Sequence, residues 1–343
     1  MKFPAHLLAL ALLSPIARLA ADPIPVKVAV VVTFEVGADK GDRPGELQFW
    51  AEREAWGQSI VVPGVDHPVL TDGKGTIGVV SGTTARCSTQ IMALVLSGVF
   101  DFSRTYWVIN GIAGVNPAVA SIGSAAWAHY VIDGDVAYEI DAREADPSWP
   151  YAIIPVGSKV PNQKPTYEGW EPETMAYELN ARLVDWAYSA TKDTVIPDTD
   201  AMRAYRATYE GFPNAQRPPF VLVGETFGSC RYWHGKALTQ WASDWTKLWS
   251  DGKGVMAMSD MEDQGIAAAL SRLSKMGRVD FQRVLFLRTA SNYCMQAPRQ
   301  DVNASLHSEY AGYIPSLEAA YRVGSVVVHR LAANGDAWRA ASP

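Results

Sequence analysis

The segment Val26-Lys-Val-Ala-Val-Val-Val32 is β-branched and apolar on both faces. A run of that length without polar alternation is the pattern of a central strand covered by helices on two sides, and it points to a layered α/β protein. Further short strands are expected at Thr76–Val80, Tyr106–Asn110, Gly123–Val131, Phe220–Val223 and Val284–Leu287, with helical spacing at Leu47–Trp56, Ser88–Ser97, Gly235–Trp249 and Asp260–Met276. Strands alternating with helices argue for one α/β sheet, with ligands at the loops beyond the strand ends. The middle of the chain, from about Glu144 to Pro219, is richer in Pro, Trp and polar residues and carries two helical stretches, Thr174–Thr191 and Asp200–Tyr209. It reads as an elaboration on a single domain spanning residues 22–343.

The N-terminus has the three-part layout of a secretory signal: Lys2, an apolar run from Leu7 to Leu13, then Pro15 and the small residues Ala20 and Ala21. Cleavage near Ala21 and export, to a periplasm or to the medium, are the expectation. No later window approaches the ~18 apolar residues of a membrane span. The chain has 343 residues, 48% of them hydrophobic, enough to bury one large core, and its net charge of -6 offers no basic footprint for nucleic acid. The three cysteines, Cys87, Cys230 and Cys294, lack metal-binding spacing, and both one disulfide and buried free thiols stay open.

Three stretches carry chemistry, and their order matters. Ile109-Asn-Gly-Ile-Ala-Gly-Val-Asn-Pro117 follows a strand and precedes another, Ser259-Asp-Met-Glu-Asp-Gln-Gly-Ile-Ala-Ala-Ala269 opens a helix, and Arg288-Thr-Ala-Ser-Asn292 closes a strand. The first is similar to the Gly-x-Ala-Gly loop of purine nucleoside phosphorylases and methylthioadenosine/S-adenosylhomocysteine nucleosidases. The second resembles their Met-Glu signature, and the third resembles their Arg-x-x-Ser-Asp strand end. With Ala113-Gly-Val-Asn-Pro117, Tyr232-Trp-His-Gly235 and Arg288-Thr-Ala-Ser291, the chain looks like the purine nucleoside permease family in particular. The resemblance implies a nucleoside-phosphorylase-like, three-layer α/β/α fold with a central mixed sheet.

It also implies roles. Breaking a ribosyl N-glycosidic bond passes through an oxocarbenium-like sugar, so the site must hold ribose hydroxyls, stabilise positive charge and hydrogen-bond the departing base. Glu262 resembles the glutamate that accepts the ribose hydroxyls, with Met261 packed on the sugar. Asn292 stands where the nucleosidases carry an aspartate that protonates the purine; an amide donates a hydrogen bond but is no general acid. An Asn at the base site is similar to the 6-oxopurine phosphorylases, a resemblance that implies inosine or guanosine over adenosine as ligand, or a protein that binds without efficient turnover. Arg288 reads as a loop anchor or as the partner of a carboxylate. Glu35 matches the region of a water-activating glutamate, with Asp39, Asp42 and Glu46 as alternatives. Thr226, Tyr232, Trp233 and His234 fall where purine-stacking and base-binding residues are expected.

A phosphorylase needs a cationic phosphate cradle, and the strand before Gly111 ends in Val108-Ile-Asn110, without the usual arginine. The Ser81-Gly82-Thr-Thr-Ala-Arg86 loop, together with Asn110 and Gly111, is the expected phosphate or water site. Hydrolysis and phosphorolysis therefore stand level. No cofactor or metal is called for, inorganic phosphate being an optional co-substrate, and the oligomeric state stays open. A non-catalytic receptor that hands nucleoside to a transporter is the alternative to an enzyme. A Rossmann-type dehydrogenase is disfavoured because no Gly-x-Gly-x-x-Gly follows the first strand.

Overall fold

The computed structural model describes residues 22–165 and 174–340, so the expected signal segment lies outside the described residues. The architecture is a mixed twelve-stranded sheet with helices packed against it. Its strands are β1 Val28–Val32, β2 Gln58–Ile60, β3 Val69–Thr71, β4 Thr76–Val80, β5 Tyr106–Val115, β6 Ala125–Trp127, β7 Tyr130–Asp133, β8 Ala176–Glu178, β9 Val221–Val223, β10 Glu225–Gly228, β11 Met256–Asp260 and β12 Val284–Tyr293. The strand order is β8-β7-β10-β11-β5-β1-β4-β3-β2, with β12 pairing both β5 and β6, and β6 also pairing β9.

All five residues of β1 are buried, and the strand lies parallel between β4 and β5, as its doubly apolar sequence requires. The helices are α1 Gln48–Arg53, α2 Ala85–Leu96, α3 Ala181–Thr191, α4 Asp200–Ala207, α5 Lys236–Trp249, α6 Asp263–Lys275, α7 Val302–Leu306 and α8 Tyr313–Ala333. α2 packs on α6, and α8 packs against β5 and β12. One large apolar cluster runs from Val28–Val32 through Trp107 and Phe286 to Val327 and Leu331.

Three expectations change. The strand expected over Gly123–Val131 divides into β6 and β7, because the buried Glu225 carboxylate accepts the N–H groups of His129 at 2.9 Å and Tyr130 at 2.6 Å and interrupts the ladder. Residues 176–178 of the expected helix from Thr174 form edge strand β8 instead, paired with β7, and the helix begins at Ala181. The stretch after Asn110 is no loop: β5 continues through Gly111-Ile-Ala-Gly-Val115, held in register by β12 along its length and by β11 at its end. That extension is open only to glycine at position 111, where a Cβ would collide with Arg288 Nη1 and Glu46 Oε1. The three cysteines are free thiols, two of them buried.

The carboxyl ends of β11 and β12 lie against the far half of β5, and that of β1 reaches its middle at Ile109. A register shift between Ala290 and Asn292 leaves Ser291 as a bulge, a device that re-aims the side chains beyond it.

Candidate active site

A cavity of about 230 Å³ opens at these strand ends. Its floor is built at the junction of β11 and α6. Asp260 Oδ1 accepts the N–H groups of Glu262 at 3.0 Å and Asp263 at 2.7 Å, satisfying donors that the start of a helix leaves without partners. The turn so fixed brings Met261 and Glu262 to the cavity wall, and Met261 O accepts the N–H of Thr84, tying the turn to the start of α2.

Arg288, on β12, organises the wall and is 1% exposed. Its Nε donates to Asp263 Oδ2 at 3.0 Å, its Nη2 to the other oxygen of Asp263, and its Nη1 to Ile112 O at 3.2 Å. Nη1 also lies 3.0 Å from Glu262 Oε1 and 3.8 Å from Glu46 Oε1, while Asp260 Oδ1 stands 4.0 Å from Nη2. Glu46 is fixed in turn: Oε2 accepts from Thr33 N and Thr33 Oγ1 at 2.7 and 2.8 Å, and Oε1 accepts from Ile112 N at 2.7 Å. Four carboxylates thus surround one guanidinium in a dry wall. Burial pushes Glu46, Glu262 and Asp263 above the usual carboxylate range, with Arg288 pulling the other way. Arg288 itself stays charged, because Asp263, Glu262 and Asp260 outweigh the burial that would lower it.

The other end of the cavity is aromatic and amide-lined. Asn292 Nδ2 donates to Tyr232 Oη at 3.1 Å and to Tyr293 O at 3.0 Å, and Asn292 Oδ1 accepts from Ser291 Oγ at 2.8 Å. Tyr232 Oη lies 2.9 Å from Tyr310 Oη, so two separate loops meet over the mouth. Trp233, 7% exposed, lines the cavity and sets its ring edge-on to Phe227.

Of the expected site residues, Met261, Glu262, Asn292, Tyr232 and Trp233 line this one cavity. Others do not. Glu35 turns its carboxylate to the backbone, accepting from Gly45 N and, at 2.7 Å, from Gln48 N; it closes the loop before α1. Asp39 pairs with His67 and Asp42 accepts from Ala38 N, which leaves Glu46 as the member of that acidic set in the wall. Thr226 is 1% exposed and its hydroxyl donates to Asp260 and Asp263 below the floor, so it supports the carboxylates and does not line the cavity. His234 pairs with Ser305 on α7.

The expected phosphate loop also disperses. Arg86 is exposed on the first turn of α2, Ser81 is buried with its hydroxyl on Gly82 O, and Asn110 is consumed by Trp50 Nε1 and Ala320 O in the core. Gly111 serves close packing over Arg288. Thr83 is the residue of that loop that reaches the cavity. Sequence reasoning did not foresee that Arg231, Cys294 and Tyr310 line it. Among the described residues no cluster of His, Cys, Asp and Glu is arranged to hold a metal ion, and no helix is long and apolar enough to cross a membrane.

Known proteins share this fold. The structure resembles a 5′-methylthioadenosine/S-adenosylhomocysteine nucleosidase from Colwellia psychrerythraea solved with adenine, with a TM-score of 0.55 at 14% identity, covering 90% of this chain and 96% of that one. It resembles the Helicobacter pylori futalosine hydrolase with a TM-score of 0.52 at 13% identity, over 90% of this chain and 98% of that one. The fold is therefore nucleoside-phosphorylase-like. In sequence, a Schizosaccharomyces pombe protein named "Probable purine nucleoside permease C285.05" is 30% identical over 261 residues, 74% of each chain. A Candida albicans purine nucleoside permease is 28% identical over 272 residues, 78% of this chain and 64% of its own length. The family profile described as purine nucleoside permease (NUP) matches residues 25–343. The chain belongs to the purine nucleoside permease family.

Proposed function

We propose that this protein binds a purine nucleoside and hydrolyses its N-glycosidic bond. The observation that carries the reading is the convergence of Glu46, Glu262 and Arg288 on one buried wall of the cavity that Asn292 and Tyr232 also line. Glu262 accepts ribose hydroxyls, and the Arg288 guanidinium 3.0 Å away, opposing the burial that raises it, favours the negative charge that stabilises the cationic sugar as the bond lengthens. Glu46, held above the usual carboxylate range by burial, is suited to take a proton from water as the water oxygen bonds to C1′. The bond electrons leave with the purine, stabilised by a hydrogen bond from the Asn292 amide as one of its N–H groups turns from Tyr232 Oη to the base, and the base then takes its proton from solvent. The products are free ribose and free base.

Water is favoured over phosphate by the charge of the wall. A phosphate beside the sugar would meet Glu46, Glu262 and Asp260, while Arg288 is already shared among carboxylates and Arg86 lies outside the cavity. The neighbours named as nucleosidase and hydrolase support a bond-cleaving site on this fold. One observation favours a second reading, a receptor that binds without turnover: Asn292 has no proton to give the leaving base.

The test is turnover of inosine, guanosine and adenosine by the purified chain, with and without phosphate, beside Glu262→Ala. Phosphate-independent ribose, lost in the variant, is the expected result. Ribose 1-phosphate formed only with phosphate would overturn hydrolysis, and tight binding without product would leave the receptor.

A further inference from the structure

Among the described residues that line the cavity, Arg231 is the only basic one. It immediately precedes Tyr232 and Trp233, and its guanidinium lies 5.5 Å from the ring centre of Trp241, which in turn packs edge-on to Trp233 at 5.9 Å. The cation therefore belongs to the aromatic end of the cavity, away from the carboxylates gathered on Arg288. Its Nη2 stands 3.2 Å from Glu139 Oε2, yet that buried nitrogen makes no hydrogen bond. Charge is balanced there while a donor remains unspent. An arginine that lines a base-sized cavity with its guanidinium beside an aromatic cluster is suited to read acceptor pairs.

We propose that Arg231 sets base specificity, its guanidinium donating to the O6 and N7 acceptors of a 6-oxopurine so that inosine and guanosine are selected over adenosine. The proposal rests on the reading of this cavity as a purine nucleoside site. The two base classes differ at that edge: a 6-oxopurine presents two acceptors, whereas adenine presents N7 beside an amino donor. Two donors facing each other leave both without partners, and a site built to hydrogen-bond its substrate rejects the mismatched analogue strongly. Glu139 acts as a positioning residue that holds the fork's angle. A free anion is a poorer occupant, because the ring of Trp233 and the Asn292 amide line the same cavity and call for a flat heterocycle.

The experiment compares kcat/KM for inosine and adenosine in the wild type, Arg231→Gln and Arg231→Lys, with Tm recorded for each. Calorimetric Kd values for the same nucleosides supply a second readout that does not need turnover. Arg231→Gln is expected to lower the inosine-to-adenosine ratio about tenfold or more, and Arg231→Lys to recover part of it, since the charge returns without the planar fork. A ratio unchanged in Arg231→Gln, or equal losses for both nucleosides, would overturn the assignment while leaving the nucleoside site standing. A wild-type protein that neither binds nor cleaves any purine nucleoside would overturn the reading of the cavity, and this assignment with it.

Discussion

Arg288 Nη1 stands 3.0 Å from Glu262 Oε1, and both side chains are almost wholly withdrawn from water. Asp263 takes the other edge of the same guanidinium, and Glu46 and Asp260 complete a ring of acids around it. Removing the cation strands charges that burial has already made costly. Arg288→Met is expected to lose about 3–5 kcal/mol of stability, read from urea unfolding, and Arg288→Lys to fall between, because an ammonium cannot span Asp263 and Glu262 as a fork does. A variant of wild-type stability would mean that the surrounding carboxyls are protonated and indifferent to the arginine.

The proposed mechanism gives different tasks to two glutamates near the first strand. Glu46→Gln is expected to reduce kcat by roughly 100-fold or more, the usual cost of losing a general base. Glu35→Gln should leave kcat at the wild-type level and cost about 1 kcal/mol, since that carboxylate only collects backbone N–H groups ahead of α1. Because burial raises Glu46 and the base must be ionised, the acid limb of the wild-type kcat/KM profile should lie above the usual 4.5 of a glutamate. Steady-state kinetics on the two variants check the assignment, and the reverse pattern would restore Glu35 as the base.

The central strand, the helix from Gly235 and the Met261-Glu262 turn were legible because each rests on local pattern: an apolar run, helical spacing, a motif at a helix start. The choice of Glu46 over Glu35 was not. Both sit in one charged loop, and what separates them is the long-range hydrogen bond from Ile112 N, which no local window contains. Thr226 and Asn110 lie off the cavity for the same reason, each being held by partners distant in sequence: Asp260 and Asp263 for the first, Trp50 and Ala320 for the second. Arg231 escaped notice because an arginine between a cysteine and a tyrosine carries no pattern until Trp241 and Glu139 are brought beside it.

The Asn292 amide nitrogen donates to Tyr232 Oη at the end of the cavity where the proposed reading puts the departing base. Asn292→Asp supplies a titratable group to the same position without changing its size. The ratio of adenosine to inosine kcat/KM is expected to rise about tenfold or more, with the gain fading as pH rises and the new carboxyl loses its proton. A ratio that stays constant with pH would show that the base departs without help from this position.

Glu225 lies outside the cavity but governs how the sheet responds to pH. It is 4% exposed, and burial pushes its carboxyl from 4.5 up to about 7, against the hydrogen bonds from Tyr130 N and His129 N that favour the ionised form. A folded-state value above the unfolded one means that the folded chain holds the proton more tightly. The stabilisation is complete below pH 4.5 and is lost as pH climbs through 7, an effect on the order of 3 kcal/mol. Tm should therefore fall between about pH 5 and pH 8 in the wild type. Glu225→Gln keeps an oxygen for both N–H groups and removes the titration, so its Tm should fall less over the same range. If the two proteins show equal slopes, Glu225 is ionised throughout and the two backbone donors outweigh its burial.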